Sequence, residues 1–149
     1  VIAGSGEEEY VQELEELTAS LGIERDTTFT GYVDATERLE ALVDADVFIL
    51  TSHTENFAMA AVEAMAAETP VLLSKEVGVA EDAAAARAGI SVPLEKGRIQ
   101  SALTRLLNTS SLRTEMGSNG PDHVRSGYRS ESVAEQMIQA IQEQENKGA

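Results

Sequence analysis

The 149-residue chain contains no cysteine. That absence excludes disulfides, thiolate zinc sites and a cysteine nucleophile, and it fits a reducing compartment. Histidine is nearly as scarce. His53 and His123 are the only two, and neither has ligand spacing to the other, which argues against a zinc site. Positive charge is sparse as well. Eleven Lys and Arg face 26 Asp and Glu, for a formal net charge of −15, and only Lys75, Lys96 and Lys147 are lysines. A surface of that sign repels nucleic acid and anionic membranes at ordinary salt. No apolar run approaches the roughly 20 residues of a membrane-spanning helix, and no stretch has the build of a signal peptide. There is no G-x-S-x-G elbow and no phosphate-binding P-loop. An acidic receiver domain would need aspartates at the carboxyl ends of strands, whereas Asp44 and Asp46 stand at the start of theirs.

What is present is a foldable chain. Apolar residues make up 42%, so the sequence belongs to the globular and not the disordered class, and its length suits one domain with a real core. Acid-rich, lysine-poor composition suits a salt-rich cytoplasm, because the Debye length at about 1 M salt is only about 3 Å and screens the self-repulsion. The expectation is a cytoplasmic, halophilic protein. The alternative is an ordinary acidic domain, which would keep full stability without salt.

Short apolar runs alternate with helical periodicity. Strands are expected at 1–4, 27–33, 46–52, 70–74 and 90–95. Helices are expected at 7–22 with Gly22 as the stop, and at 35–45, 57–68, 80–89 and 97–108. In the first helix Tyr10, Val11, Leu14, Leu17 and Leu21 share a face, and in the last Ile99, Leu103, Leu106 and Leu107 point inward. The stretch 111–128 reads as irregular, broken near Gly117 to Pro121. Residues 130–145 read as a helix with a capping-box pattern at Ser130 to Val133, followed by frayed ends. This alternation is the signature of an α/β, Rossmann-like parallel sheet with helices on both faces, spanning 1–149 as a single domain. VIAG opens inside a strand and without methionine, which reads as a fragment of a longer protein.

Two stretches invite chemistry. VIAGSG starts like a dinucleotide-binding turn, but the third glycine position is Glu9. Glu7, Glu8 and Glu9 would face a pyrophosphate with carboxylates, so it reads instead as a tight strand-to-helix turn. The second is TENFAMAAVEAMAAETPV, 54–71. It follows the nearly continuous apolar strand DVFILTS, which places the loop HTEN at the carboxyl edge of the sheet, where open α/β sheets bind ligands. His53 lies in that loop, as a ligand contact or as a solvated residue. The amides of Asn56, Phe57, Ala58 and Met59 are expected to be unpaired at the helix start and to suit an electronegative group. Glu63 stands eight residues past Glu55, about 12 Å along a continuous helix. That is too far for a glycosidase pair at about 5–9.5 Å. Val62, Ala64, Met65 and Ala66 surround Glu63 with apolar neighbours, so its carboxylate needs a partner.

The block DADVFILTSHTENFAMAAVEAMAAETPVLLS resembles the central block of the retaining, family 4 glycosyltransferases of the GT-B fold, which have two Rossmann-like domains. The family pattern is a strand, a Glu, seven residues, a second Glu, then Glu-Ala-Met-Ala, a turn and Pro-Val. Here Glu55, Glu63, Ala64-Met65-Ala66 and Pro70-Val71 carry it. VIAGSG, FTGYVD (29–34), VGVAED (77–82) and MGSNG (116–120) resemble flanking segments in the family's order.

The resemblance implies the C-terminal, donor-binding domain of a nucleotide-sugar transferase, with the N-terminal acceptor domain and the first part of this domain lying elsewhere. It implies that Glu63 binds the ribose hydroxyls, that Glu55 is the catalytic-site carboxylate contacting the transferred sugar, and that the amides of Asn56, Phe57, Ala58 and Met59 hold that sugar. It places Gly31, Tyr32 and Val33 near the base with Arg38 close by, and Val77, Gly78 and Val79 on the diphosphate side. It implies a nucleotide-sugar as donor substrate, no cofactor and no metal, and an acceptor that is a sugar, a lipid or a small molecule. Any peripheral membrane association would run through the N-terminal domain. Departures accompany the match. Ala58 stands where the family has glycine, Val77-Gly78-Val79-Ala80-Glu81 replaces Gly-Gly-x-Pro-Glu, and the aromatic expected near Ser130 is missing. The family's phosphate-binding Arg and Lys belong to a segment before VIAG, so the isolated chain is expected to be inactive. A non-catalytic binding or scaffold domain and a nucleotide-sugar epimerase of the same fold are the alternatives.

Overall fold

A computed structural model describes residues 1–129 and 142. The helix and capping box expected beyond residue 130 lie outside the described residues, apart from Gln142. The chain divides into two compact units, Val1–Glu40 and Ala41–Ala149.

In the first unit, β1 (Ile2–Ala3) pairs in parallel with β2 (Phe29–Gly31), and α1 (Glu8–Ser20) connects them. The register shifts between Ile2 and Ala3. Gly31 lies opposite Ala3 at φ 65°, a left-handed value that costs glycine little. Helix α1 ends as its sequence predicts. Gly22 adopts φ 69°, its amide donates to Ala19 O, and the amide of Ile23 donates to Thr18 O. This is the Schellman arrangement, which satisfies the last carbonyls of the helix. Of the expected apolar face, Val11 and Leu14 are half-buried, while Tyr10, Leu17 and Leu21 are exposed. Helix α2 (Ala35–Asp44) opens with Asp34, whose Oδ1 accepts from the amides of Thr36 and Glu37 at 2.8 and 2.9 Å. Glu37 Oε2 in turn accepts from the Asp34 amide at 2.9 Å. This reciprocal cap is legible in the sequence as Asp-x-x-Glu.

The second unit holds the three-stranded parallel sheet, in the order β3 (Phe48–Leu50), β4 (Val71–Ser74), β5 (Gly89–Val92). Phe48 pairs with Val71, and Val71 with Gly89. The five strands thus form two parallel sheets instead of one. Central strand β4 is wholly buried, and its side chains alternate between two cores. Val71 and Leu73 join Leu42, Ala61, Val62, Met65, Val79 and Ala83 on the face covered by α3 (Met59–Ala66), α4 (Ala80–Ala85) and α6 (Ser110–Gly127). Leu72 joins Val92, Ala102 and Leu106 on the face covered by α5 (Lys96–Asn108). Helices on both faces explain the unbroken apolar run of β4. Each fully buried Val or Leu there contributes about 2 kcal/mol relative to exposure. In α5, Leu107 points outward and Ala102 inward, a one-position correction to the expected face.

Three helix boundaries differ from expectation, for backbone reasons. Helix α3 starts at Met59 and not at residue 57, because Ala58 sits at φ 60° and cannot belong to a right-handed helix. It ends at Ala66, where Glu68 at φ 63° closes a Schellman turn with Thr69 N on Ala64 O. Helix α4 ends at Ala85, not Gly89, because Arg87 at φ 55° takes the same role, with Ala88 N on Ala83 O. Gly89 instead opens β5, where a Cβ would lie 2.4 Å from Val71 O. The largest correction is α6. Residues 110–127 form one continuous helix through Gly117, Gly120 and Pro121. Both glycines are buried against α3 and the turn after it. A Cβ at Gly117 would lie 2.2 Å from Glu68 O, and one at Gly120 would lie 2.2 Å from Met65 O. These residues are small because two backbones meet there, not because the helix breaks.

Candidate functional site

Strands β3 and β4 run parallel, so both deliver their following loops to the carboxyl edge of the sheet. Ser74 Oγ donates to Ser52 O at 2.7 Å. The two loops then stay registered beyond the strands. The Glu55 amide donates to Glu76 O at 3.2 Å, the Gly78 amide donates to Glu55 O at 2.8 Å, and Glu55 and Val77 form a parallel bridge. Val77 and Val79 are buried and anchor their loop in the core, so they serve as scaffold with their side chains turned away from solvent. Gly78 between them is exposed, yet a Cβ there would lie 1.8 Å from Asn56 O. Only glycine fits that crossing.

Glu55 lies at the centre of this stitch. Its backbone is held on both sides, and its Oε1 accepts from the Ala58 amide at 3.3 Å. The carboxylate therefore faces the start of α3, where the helix dipole favours negative charge. Because α3 begins at Met59, the amide set expected at 56–59 shifts forward, and Ala58 already donates to Glu55. Asn56, Phe57 and Met59 are exposed, whereas Ala58 is buried. Only Met59 to Glu63 of the interval between the two glutamates is helical, about 6 Å of rise. The reading of that interval as one 12 Å helical ruler is corrected accordingly. Glu63 is half-buried on α3, between buried Val62 and Ala64. His53 is exposed in the loop.

Gly31, Tyr32, Val33 and Arg38 belong to the first unit. The Gly31 carbonyl accepts from the Gly4 amide at 2.9 Å, Tyr32 is 79% exposed, and Val33 and Arg38 are half-buried.

Two features fall outside the sequence expectations, the first of them at an aromatic two positions before Ser130. Tyr128, the residue after α6, meets Phe57 edge-on at 5.4 Å and 86°, and His123 packs against it at 5.4 Å and 87°. Its hydroxyl donates to Asp82 Oδ2 at 3.1 Å. Burial, reinforced by the neighbouring Asp82 carboxylate, pushes the Tyr128 phenol up to about 12. The expectation of a broken 111–128 segment hid this contact. The second feature lies at the opposite, amino edge of the sheet, where Ala45, Asp46, Pro70 and Arg113 line a shallow cleft. Arg113 pairs with Asp46 at 3.0 Å and donates to Leu106 O and Leu107 O at the end of α5. It caps the end of α5 and ties it to Asp46, a structural role.

Comparison with known proteins agrees with this geometry. The family described as glycosyl transferases group 1 matches residues 1–123. The chain is 32% identical over 140 residues to an uncharacterized glycosyltransferase of Methanocaldococcus jannaschii, covering 93% of this chain and 35% of that one. A sucrose-phosphate synthase from Thermosynechococcus elongatus superposes with a TM-score of 0.77 at 27% identity, over 97% of this chain and 37% of that one. The C-terminal domain of a glycosyl transferase group 1 family protein from Francisella tularensis superposes with a TM-score of 0.73 at 28% identity, over 83% of this chain and 64% of that one. The fold is the Rossmann-like α/β arrangement of GT-B glycosyltransferases. The chain spans about a third of the length of the curated relatives it matches. By sequence over most of its length and by fold, this chain belongs to the glycosyl transferases group 1 family.

Proposed function

We propose that this chain is the donor-binding domain of a transferase that moves a sugar from a nucleotide-sugar to an acceptor with retention at the anomeric carbon. The observation that supports the reading best is the stitched pair of loops, with Gly78 N on Glu55 O at 2.8 Å. It holds a carboxylate beside the start of a helix at the ligand-binding edge of the sheet. In this reading Glu55 contacts the transferred sugar and stabilises positive charge as the bond from the anomeric carbon to the diphosphate breaks. The amides at the start of α3, with Asn56, Phe57 and Met59, hold the sugar, while the Ala58 amide is taken by Glu55, and Glu63 accepts hydrogen bonds from the ribose. Gly31, Tyr32, Val33 and Arg38 serve the base, and the Val77–Gly78–Val79 backbone faces the diphosphate. Lys75, exposed in the same loop, adds positive charge there. The transfer uses no metal, and it takes place in a salt-rich cytoplasm when the chain is part of its full-length protein.

The test is a product assay on the full-length protein with UDP-, GDP- and ADP-sugars. The expected outcome is transfer with retained configuration, lowered at least about 100-fold by Glu55→Gln, since removing one electrostatic stabiliser costs about 10²–10³ in rate. Release of an altered free sugar without acceptor would establish an epimerase. Binding without turnover would establish a non-catalytic domain.

A further inference from the structure

We propose that Tyr128 is a positioning residue that keeps the two loops of the candidate site in register. One side chain reaches both of them. Its ring meets Phe57, which lies in the Glu55 loop, and its hydroxyl binds Asp82, in the first turn of α4, directly after Val77–Gly78–Val79. Tyr128 is itself fixed. Its amide closes the last turn of α6 on Val124 O at 2.9 Å, and His123 packs against its ring. Phe57 is 43% exposed, so burial alone does not hold it. Edge-on contact between rings favours one geometry over its alternatives. The chain has only three Phe and three Tyr, and one of each meets here beside one of its two histidines. Helix α6 is anchored to α3 by the glycine contacts at Gly117 and Gly120, so Tyr128 extends from a rigid support.

The register itself is tested by amide hydrogen exchange, on the full chain and without ligand. Two amides report it: Gly78, which donates to Glu55 O, and Ala58, which donates to Glu55 Oε1. Tyr128→Leu is expected to speed exchange at both by about tenfold, while β4 amides keep their rates, as local opening without global unfolding requires. Tyr128→Phe keeps the ring contact and loses the hydroxyl. It is expected to speed exchange at Gly78 and to leave Ala58 near the wild-type rate, and Asp82→Ala should reproduce it. If Tyr128→Leu does not fold, these two milder variants carry the test. Unchanged exchange at Gly78 and Ala58, or equal acceleration throughout β4, would overturn the proposal. The functional consequence rests on the donor-site reading. Failure of UDP, GDP and ADP to bind the full-length protein would count against that reading while leaving the exchange result to decide the role of Tyr128.

Discussion

Ala58, Glu68 and Arg87 are the three non-glycine residues with left-handed backbone among the described residues, and their costs differ. A left-handed residue with a Cβ is strained by about 1–2 kcal/mol. Ala58 is buried, so Ala58→Gly would relieve that strain but remove a buried methyl worth about 0.8 kcal/mol and loosen the unfolded chain. Chemical denaturation is expected to show a change within about 0.5 kcal/mol. Alanine is therefore held at this left-handed position at little cost to stability. Glu68 is exposed and loses no buried group on truncation. Glu68→Gly is expected to stabilise the chain by about 1 kcal/mol, read from the denaturation midpoint. Tyr128 carries a different signature. Its folded pKa, about 12, lies above the ordinary 10. Its contribution is therefore complete below pH 10 and is lost as pH rises through 12. A stability profile from pH 9 to 12 should fall less steeply in Tyr128→Phe than in the wild type.

At the scale of elements, the joint between α3 and α6 decides the architecture of the second unit. Gly117→Ala or Gly120→Ala would drive a methyl group into the backbone of Glu68 or Met65. Overpacking of this kind costs about 1–3 kcal/mol or more, and thermal denaturation should show a loss of that order for each. The same joint shows why sequence reading succeeded in some places and failed in others. Apolar periodicity placed every described strand and the helices α1, α2 and α5, although in α1 only Val11 and Leu14 of the expected face are half-buried and in α5 the face is shifted by one position. Gly22 marked the end of α1 because glycine occupied the left-handed position. Glu68 and Arg87 occupy the same kind of position without glycine, so the ends of α3 and α4 were unmarked. Gly117-x-x-Gly120-Pro121 looks like a break when read locally. Its meaning comes from a carbonyl about 50 residues earlier in the chain, which no local pattern contains. At the site, the loop carrying Glu55 was legible from the strand before it. The role of Val77 and Val79 as buried anchors, and the contacts of Tyr128, depend on tertiary packing and were not.

At the scale of the whole molecule, charge and ligand pull in opposite directions. The chain carries a formal −15, and the proposed ligand is itself an anion. Added salt should screen the self-repulsion, so unfolding midpoints are expected to rise steadily between low and molar salt. Midpoints independent of salt would point to an ordinary acidic domain. The most direct test of the donor-domain reading is a calorimetric titration of the full-length protein in molar salt with UDP, GDP and ADP, beside Glu63→Ala. Each hydrogen bond to a charged group is worth about 1.5–3 kcal/mol. The account predicts saturable binding of one nucleotide, weakened about 10- to 100-fold by the substitution. Equal affinity in wild type and Glu63→Ala, or no binding of any of the three, would contradict it.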